Sequence, residues 1–194
     1  MSENKDKKSR YVFVNINESK DKVLTFFDDL FGISYIYEQE DFYVYKLINE
    51  EAYELEDIID ALNVDFGANI KVFETNYLNS ENDMFSLLSI YKKNNRSAYS
   101  NISKLVLDLV NNNHEDLKEL KKMLLYKIEN DNDLINIIIA MYKNDLNVSK
   151  TANAVYMHRN TVINKLDIIK KTSGLDIQKF YDAIAMYNLI YLKK

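Results

Sequence analysis

Arg159, Asn160 and Thr161, followed by Asn164 and Lys165, bring together side chains that can read nucleic acid. A guanidinium pairs with guanine edges or phosphate, a carboxamide with adenine, and a threonine with phosphate or a thymine methyl. Spacing matters as much as residue type. Val162, Leu166 and Ile169 recur at i, i+4 and i+7, which predicts a helix that buries this stripe. Arg159, Asn160, Ile163, Asn164 and Lys170 then lie on the opposite side, flanked by Thr161 and Lys165.

The residues just upstream must position that helix. Ser149 is the expected N-cap of a shorter helix with Ala152 and Val155 facing inward. Tyr156 and Met157 form the turn, without the glycine that many such turns use, and His158 or Asn160 begins the second helix. Gly174 ends it, with Leu175 packing back. Two helices joined this way over 147–175 make a helix-turn-helix, the device that reads the major groove. The candidate DNA-facing residues are Ser149, Lys150 and Thr151 on the first helix, with His158, Arg159, Asn160, Thr161, Asn164 and Lys165 on the second.

Other chemistry finds little support. The chain has no cysteine, which removes disulfides, thiolate metal sites and cysteine nucleophiles. Its two histidines, His114 and His158, are far apart, so no metal site and no cofactor is expected. His114-Glu115-Asp116 reads as a solvated helix start, with its acids favourably near the N-terminus. No glycine loop, nucleophile–base pair or carboxylate pair with a supporting context is present, and the chain is not expected to be an enzyme. Neither an apolar run long enough to cross a membrane nor a secretory signal is seen, and the expected location is the cytoplasm.

The 194 residues carry a net charge of −5, with 47% hydrophobic and 28% charged residues, the profile of a soluble globular protein. The charge is unevenly spread. Residues 1–130 hold 16 Lys/Arg against 24 Asp/Glu, whereas residues 131–194 hold 9 against 6. A basic module follows an acidic one.

In chain order, residues 1–10 read as a disordered tail and Tyr11–Ile16 as a strand. Val23, Phe26, Phe27, Leu30 and Phe31 stripe a helix that Gly32 closes. Ile33–Tyr37 and Phe42–Ile48 read as a hairpin around the polar run Glu38 to Asp41. A second helix carries Ala52, Leu55, Ile58, Ile59, Leu62 and Phe66 and stops at Gly67. Ile70–Phe73 is a fourth strand, and Met84 to Tyr91 a third helix. This β-α-β-β-α-β order predicts a ferredoxin-like domain over 11–93, two helices covering one sheet face and Tyr35, Tyr37, Tyr43 and Tyr45 lining the other. The Asn/Ser-rich run 94–100 reads as a linker. Helices at 102–110, 115–128 and 134–142, broken by Asn111–Asn113 and Asn130–Asn132, then open an all-helical domain over 101–194. The fold class expected is α+β followed by all-α.

The strings NVSKTA, VYMHRNTV, KLDII, TSGLDI and FYDA resemble the C-terminal domain of the PucR/CdaR family of bacterial purine-catabolism and sugar-diacid regulators. The resemblance covers about the last 65 residues closely. It implies a DNA-binding transcription regulator, usually an oligomer, with Arg159 to Thr161 and Asn164–Lys165 facing double-stranded DNA. The helix-turn-helix is also similar to that of the nucleoid factor Fis. Asn164 stands where the family commonly has an aromatic, Lys165 where it has arginine and Gln178 where it has a basic residue. More loosely, 11–93 resembles the degenerate GGDEF-like domain that family members carry, without its Gly-Gly-Asp-Glu-Phe run. A homodimer is expected, with a small-molecule or protein effector allowed for at the acidic N-terminal domain. The alternative is an interaction module whose helix-turn-helix serves assembly alone.

Overall fold

The computed structural model describes residues 9–47, 54–67, 69–94, 96–112 and 114–191, the side chains of Phe66 and His114 excepted. The chain divides after Asn101 into two compact units. The first is α+β and the second helical.

The N-terminal unit runs β1 (Arg10–Asn15), α1 (Lys20–Phe31), β2 (Tyr37–Gln39), β3 (Phe42–Leu47), α2 (Leu55–Phe66), β4 (Lys71–Glu74), α3 (Glu81–Asn94) and β5 (Tyr99–Asn101). The sheet order is β2-β3-β1-β4-β5. β1 lies antiparallel between β3 and β4, and β2 pairs antiparallel with β3. That is the strand order a ferredoxin-like βαββαβ chain produces. β5 then adds a parallel edge beside β4.

Three expectations need correction here. Ser9 and Arg10 belong to the sheet and not to a tail, because Ser9 exchanges backbone hydrogen bonds with Leu78 and Arg10 opens β1. Tyr99 and Ser100 are strand and not linker. The second strand starts at Tyr37, later than Ile33. Gly32 closes α1 at φ 63°, its N–H donating to Asp28 O, and the Ile33 N–H donates to the same carbonyl. The backbone there is still capping the helix, and Ile36 N–H is the first in this stretch to reach across to β3, at Val44 O. Residues 1–8, Ile48 and Ala52 lie outside the described residues.

Alternation along β1, β3 and β4 is apolar on both faces, the pattern of a sheet covered on both sides. Val12, Val14, Tyr43, Tyr45 and Val72 pack under α1 and α2 in one core with Phe27, Ile59 and Leu62. Phe13 and Phe73, both fully buried, stack at 5.6 Å on the other face. There α3 covers them, with Tyr91 centred 4.7 Å from Phe73 and 6.2 Å from Phe42. The expected open tyrosine face is therefore absent. Tyr43 and Tyr45 are core residues, and the Tyr45 hydroxyl donates to Asp28 Oδ1 at 3.0 Å.

Tyr91 brings a cost into this second core. Its hydroxyl is a buried polar atom without a hydrogen-bond partner among the described residues, and burial pushes its pKa above the ordinary phenol value. An unpaired buried hydroxyl is destabilising, whereas phenylalanine keeps the ring contacts. Tyr91→Phe is expected to raise unfolding free energy by about 1 kcal/mol, seen as a higher urea midpoint at unchanged slope.

The C-terminal unit contains α4 (Ile102–Asn112), α5 (His114–Leu125), α6 (Asn132–Lys143), α7 (Val148–Ala154), α8 (Arg159–Ser173) and α9 (Phe180–Tyr191). α9 packs on α4 and α6, while α8 is held by α5, α6 and α7. Asp131 caps α6, accepting from the amides of Asp133 and Leu134. Asn111 and Asn112 extend α4 and do not break it, the Asn112 amide bonding back to Asp108 O. α5 stops at Leu125, where Ile128 and Glu129 N–H both turn back onto Leu125 O. Asp116, expected to be solvated, is buried, four residues before the core residue Leu120 on the same helix. No described helix is long and apolar enough to cross a membrane.

Candidate nucleic-acid interface

α7 begins two residues earlier than Ser149 would set it. Asn147 has extended backbone, and its Oδ1 accepts from Lys150 N–H at 3.0 Å, which satisfies one orphan amide of the first turn. Ser149 is thereby displaced from the cap into the helix, where it is exposed. Ala152 is buried as expected. Thr151 is fully buried, its hydroxyl 3.3 Å from Met141 Sδ. With no exposed surface, Thr151 belongs to the core and is not available to DNA, contrary to its expected DNA-facing role.

The turn closes through Met157 N–H donating to Ala152 O at 2.9 Å. Tyr156 takes the left-handed position, φ 54°, that glycine fills in many such turns. The sequence signal for this was the missing glycine itself. His158 is the N-cap of α8, its Nδ1 accepting from Asn160 N–H at 3.2 Å. Its ring is thus a capping group, and α8 proper begins at Arg159.

Along α8, Val162 and Ile169 are fully buried and Leu166 nearly so, as the i, i+4, i+7 spacing requires. Gly174 ends the helix at φ 76° with its N–H donating to Lys170 O. Ser173 then caps the exit, its hydroxyl donating to Ile169 O and accepting from Leu175 N–H. The outer side exposes Arg159, Asn160, Thr161 and Asn164, with Ile163 half-buried between them.

The cations on this helix are not equivalent. Lys165 is drawn toward α6, its Nζ 3.1 Å from Asp133 Oδ2 and its side chain mostly covered. Lys170 pairs with Asp176 at 2.9 Å, a hydrogen bond that raises its pKa. Asp176 is fixed in turn, because its N–H donates to Asp182 Oδ2 and Asp182 also accepts from Ser103. Arg159 makes no ion pair among the described residues, and Lys150 meets only Asp145, at 3.9 Å. Around the start of α8 the exposed groups include the His158 ring, the Arg159 guanidinium, the Asn160 and Asn164 carboxamides and the Thr161 hydroxyl, with Ser149 and Lys150 exposed on α7. Among the described residues, no group of three or more acidic or histidine side chains is placed to hold a metal.

A seven-residue helix, a tight turn and a longer helix with one buried stripe and one polar outer side define a helix-turn-helix domain. Residues 134–188, within the C-terminal unit, match the PucR C-terminal helix-turn-helix domain. No curated protein matches the sequence. Among solved structures, a regulator of polyketide synthase expression from Bifidobacterium adolescentis is similar at 14% identity and a TM-score of 0.47, over 95% of this chain and 80% of that one.

Proposed function

We propose that this protein is a sequence-specific, DNA-binding transcriptional regulator of the cytoplasm, working as a pair of identical chains. The observation that carries the reading is the start of α8, where Arg159, Asn160, Thr161 and Asn164 are exposed together while Val162, Leu166 and Ile169 anchor the helix from behind. Such a helix fits the major groove, where guanidinium and carboxamide groups meet base edges. With Lys165 and Lys170 each paired to an acid, one copy offers few free cations. Two copies would place two α8 helices in successive major grooves about 34 Å apart on a near-palindromic site. The N-terminal unit, rich in Asp and Glu, would take the effector, a small molecule or a protein.

Binding to genomic duplex fragments across a salt series tests this. Each phosphate neutralised releases a counterion, so log affinity should fall linearly with log salt. Four or five contacts from two chains would give a slope of about −4. A chain that shifts no fragment even at low salt would not be a DNA-binding regulator.

A further inference from the structure

We infer that Tyr156 anchors the helix-turn-helix to the DNA backbone, its hydroxyl donating to a phosphate oxygen at the rim of the groove that α8 enters. The inference rests on the reading of α8 as the DNA-facing helix. Two features coincide in Tyr156 and in no other large apolar or aromatic residue described. The residue is 97% exposed, the most of the large apolar and aromatic residues described. Its backbone sits at φ 54°, a conformation that glycine or asparagine adopts with far less strain than a bulky aromatic.

The turn itself requires the left-handed backbone but makes no use of the ring. Met157 N–H must reach back to Ala152 O, and Tyr156 N–H turns back to Asn153 O. Those bonds would form equally with glycine at the position. A tyrosine here thus incurs strain and exposes an aromatic surface, with no packing in the free chain to offset either. Such an uncompensated outlier points to a use outside the folded chain.

Position says which use. Tyr156 lies two residues before the His158 cap and three before Arg159, so its Cα can be no more than about 10 Å from that of Arg159. A helix with its side chains is about 10–12 Å across and the major groove about 12 Å wide. A helix lodged there fills the groove, which leaves the preceding turn against the sugar-phosphate rim and away from the base edges. Tyrosine hydroxyls are among the groups that bind phosphate oxygens at such rims.

The test uses the full chain with Tyr156→Phe, Tyr156→Asn and, as a reference, Arg159→Ala. Affinity is measured on a duplex of about three helical turns selected from random DNA by the unmodified chain, and on an unselected duplex of equal length. Tyr156→Phe keeps the ring and removes the hydroxyl, whereas Tyr156→Asn keeps the left-handed turn and removes the ring. Both are expected to bind each duplex about tenfold more weakly, because a phosphate contact does not discriminate between sequences. The salt slope should not change, since a neutral hydroxyl displaces no counterion. Melting temperature should be unchanged for Tyr156→Phe and equal or higher for Tyr156→Asn. Full affinity in both variants, with Arg159→Ala impaired, overturns the role of Tyr156 and leaves the function standing. Loss in Tyr156→Asn alone overturns the hydroxyl contact in favour of ring packing. A parent chain that binds neither duplex at low salt removes both readings together.

Discussion

Replacing Arg159 with alanine is expected to weaken binding to a selected duplex by about 1–3 kcal/mol, roughly five- to 150-fold. Arg159 is the first residue of α8, exposed, and without an ion pair among the described residues, so its guanidinium is free to engage DNA. If it meets a guanine edge, the loss should be confined to one base position, and single-base variants there should become equivalent. If it meets phosphate, the loss should be uniform and the salt slope should fall by about one. Its side chain does not enter the core, so the melting temperature should stay within the range of ordinary surface changes. Equal affinity and equal base preference in the variant would remove α8 as the reading helix.

Phe13→Ala should have the largest effect on folding. Truncating a fully buried phenylalanine costs about 3–5 kcal/mol, a large share of the 5–15 kcal/mol that holds a typical domain together. Phe13 stacks on Phe73 and lies 6.3 Å from Tyr91, so its removal opens a cavity between the sheet and α3. On a sheet face open to solvent the same change would cost far less. Urea unfolding followed by circular dichroism decides between these cases. A loss under about 1 kcal/mol would mean that α3 does not cover this face in solution.

The contrast marks where the sequence could be read and where it could not. Helix stripes were legible because burial at i, i+3 and i+4 is local information, and Val162, Leu166 and Ile169 lie where their spacing put them. Gly32, Gly67 and Gly174 were legible as helix ends, and each adopts a left-handed φ there. The coverage of the second sheet face was written in the uninterrupted apolar runs at Tyr11–Val14 and Phe42–Tyr45, which were read with one buried side only. The burial of Thr151 is not visible in its own helix, because its partner is Met141 on a different helix. The ion pair of Lys165 was equally out of reach of local spacing, because its acid, Asp133, lies 32 residues away on α6. β5 was hidden for a similar reason. Three residues in an Asn/Ser-rich run carry no strand pattern of their own, and only pairing with the distant β4 makes them one.

The strands at the two margins of the sheet bear on how two chains could come together. β2 and β5 are each three residues long, and β2 ends on Glu38 and Gln39, both exposed. Margins so short present too few free amides and carbonyls to template a strand from a neighbouring molecule, and charge on them discourages it further. Among the described residues, β2 and β5 are therefore poor edges for joining two sheets into one continuous ribbon. A twofold partnership of the kind proposed would then rest on side chains meeting side chains, and would be more open to adjustment by substitution and salt than a shared backbone ladder.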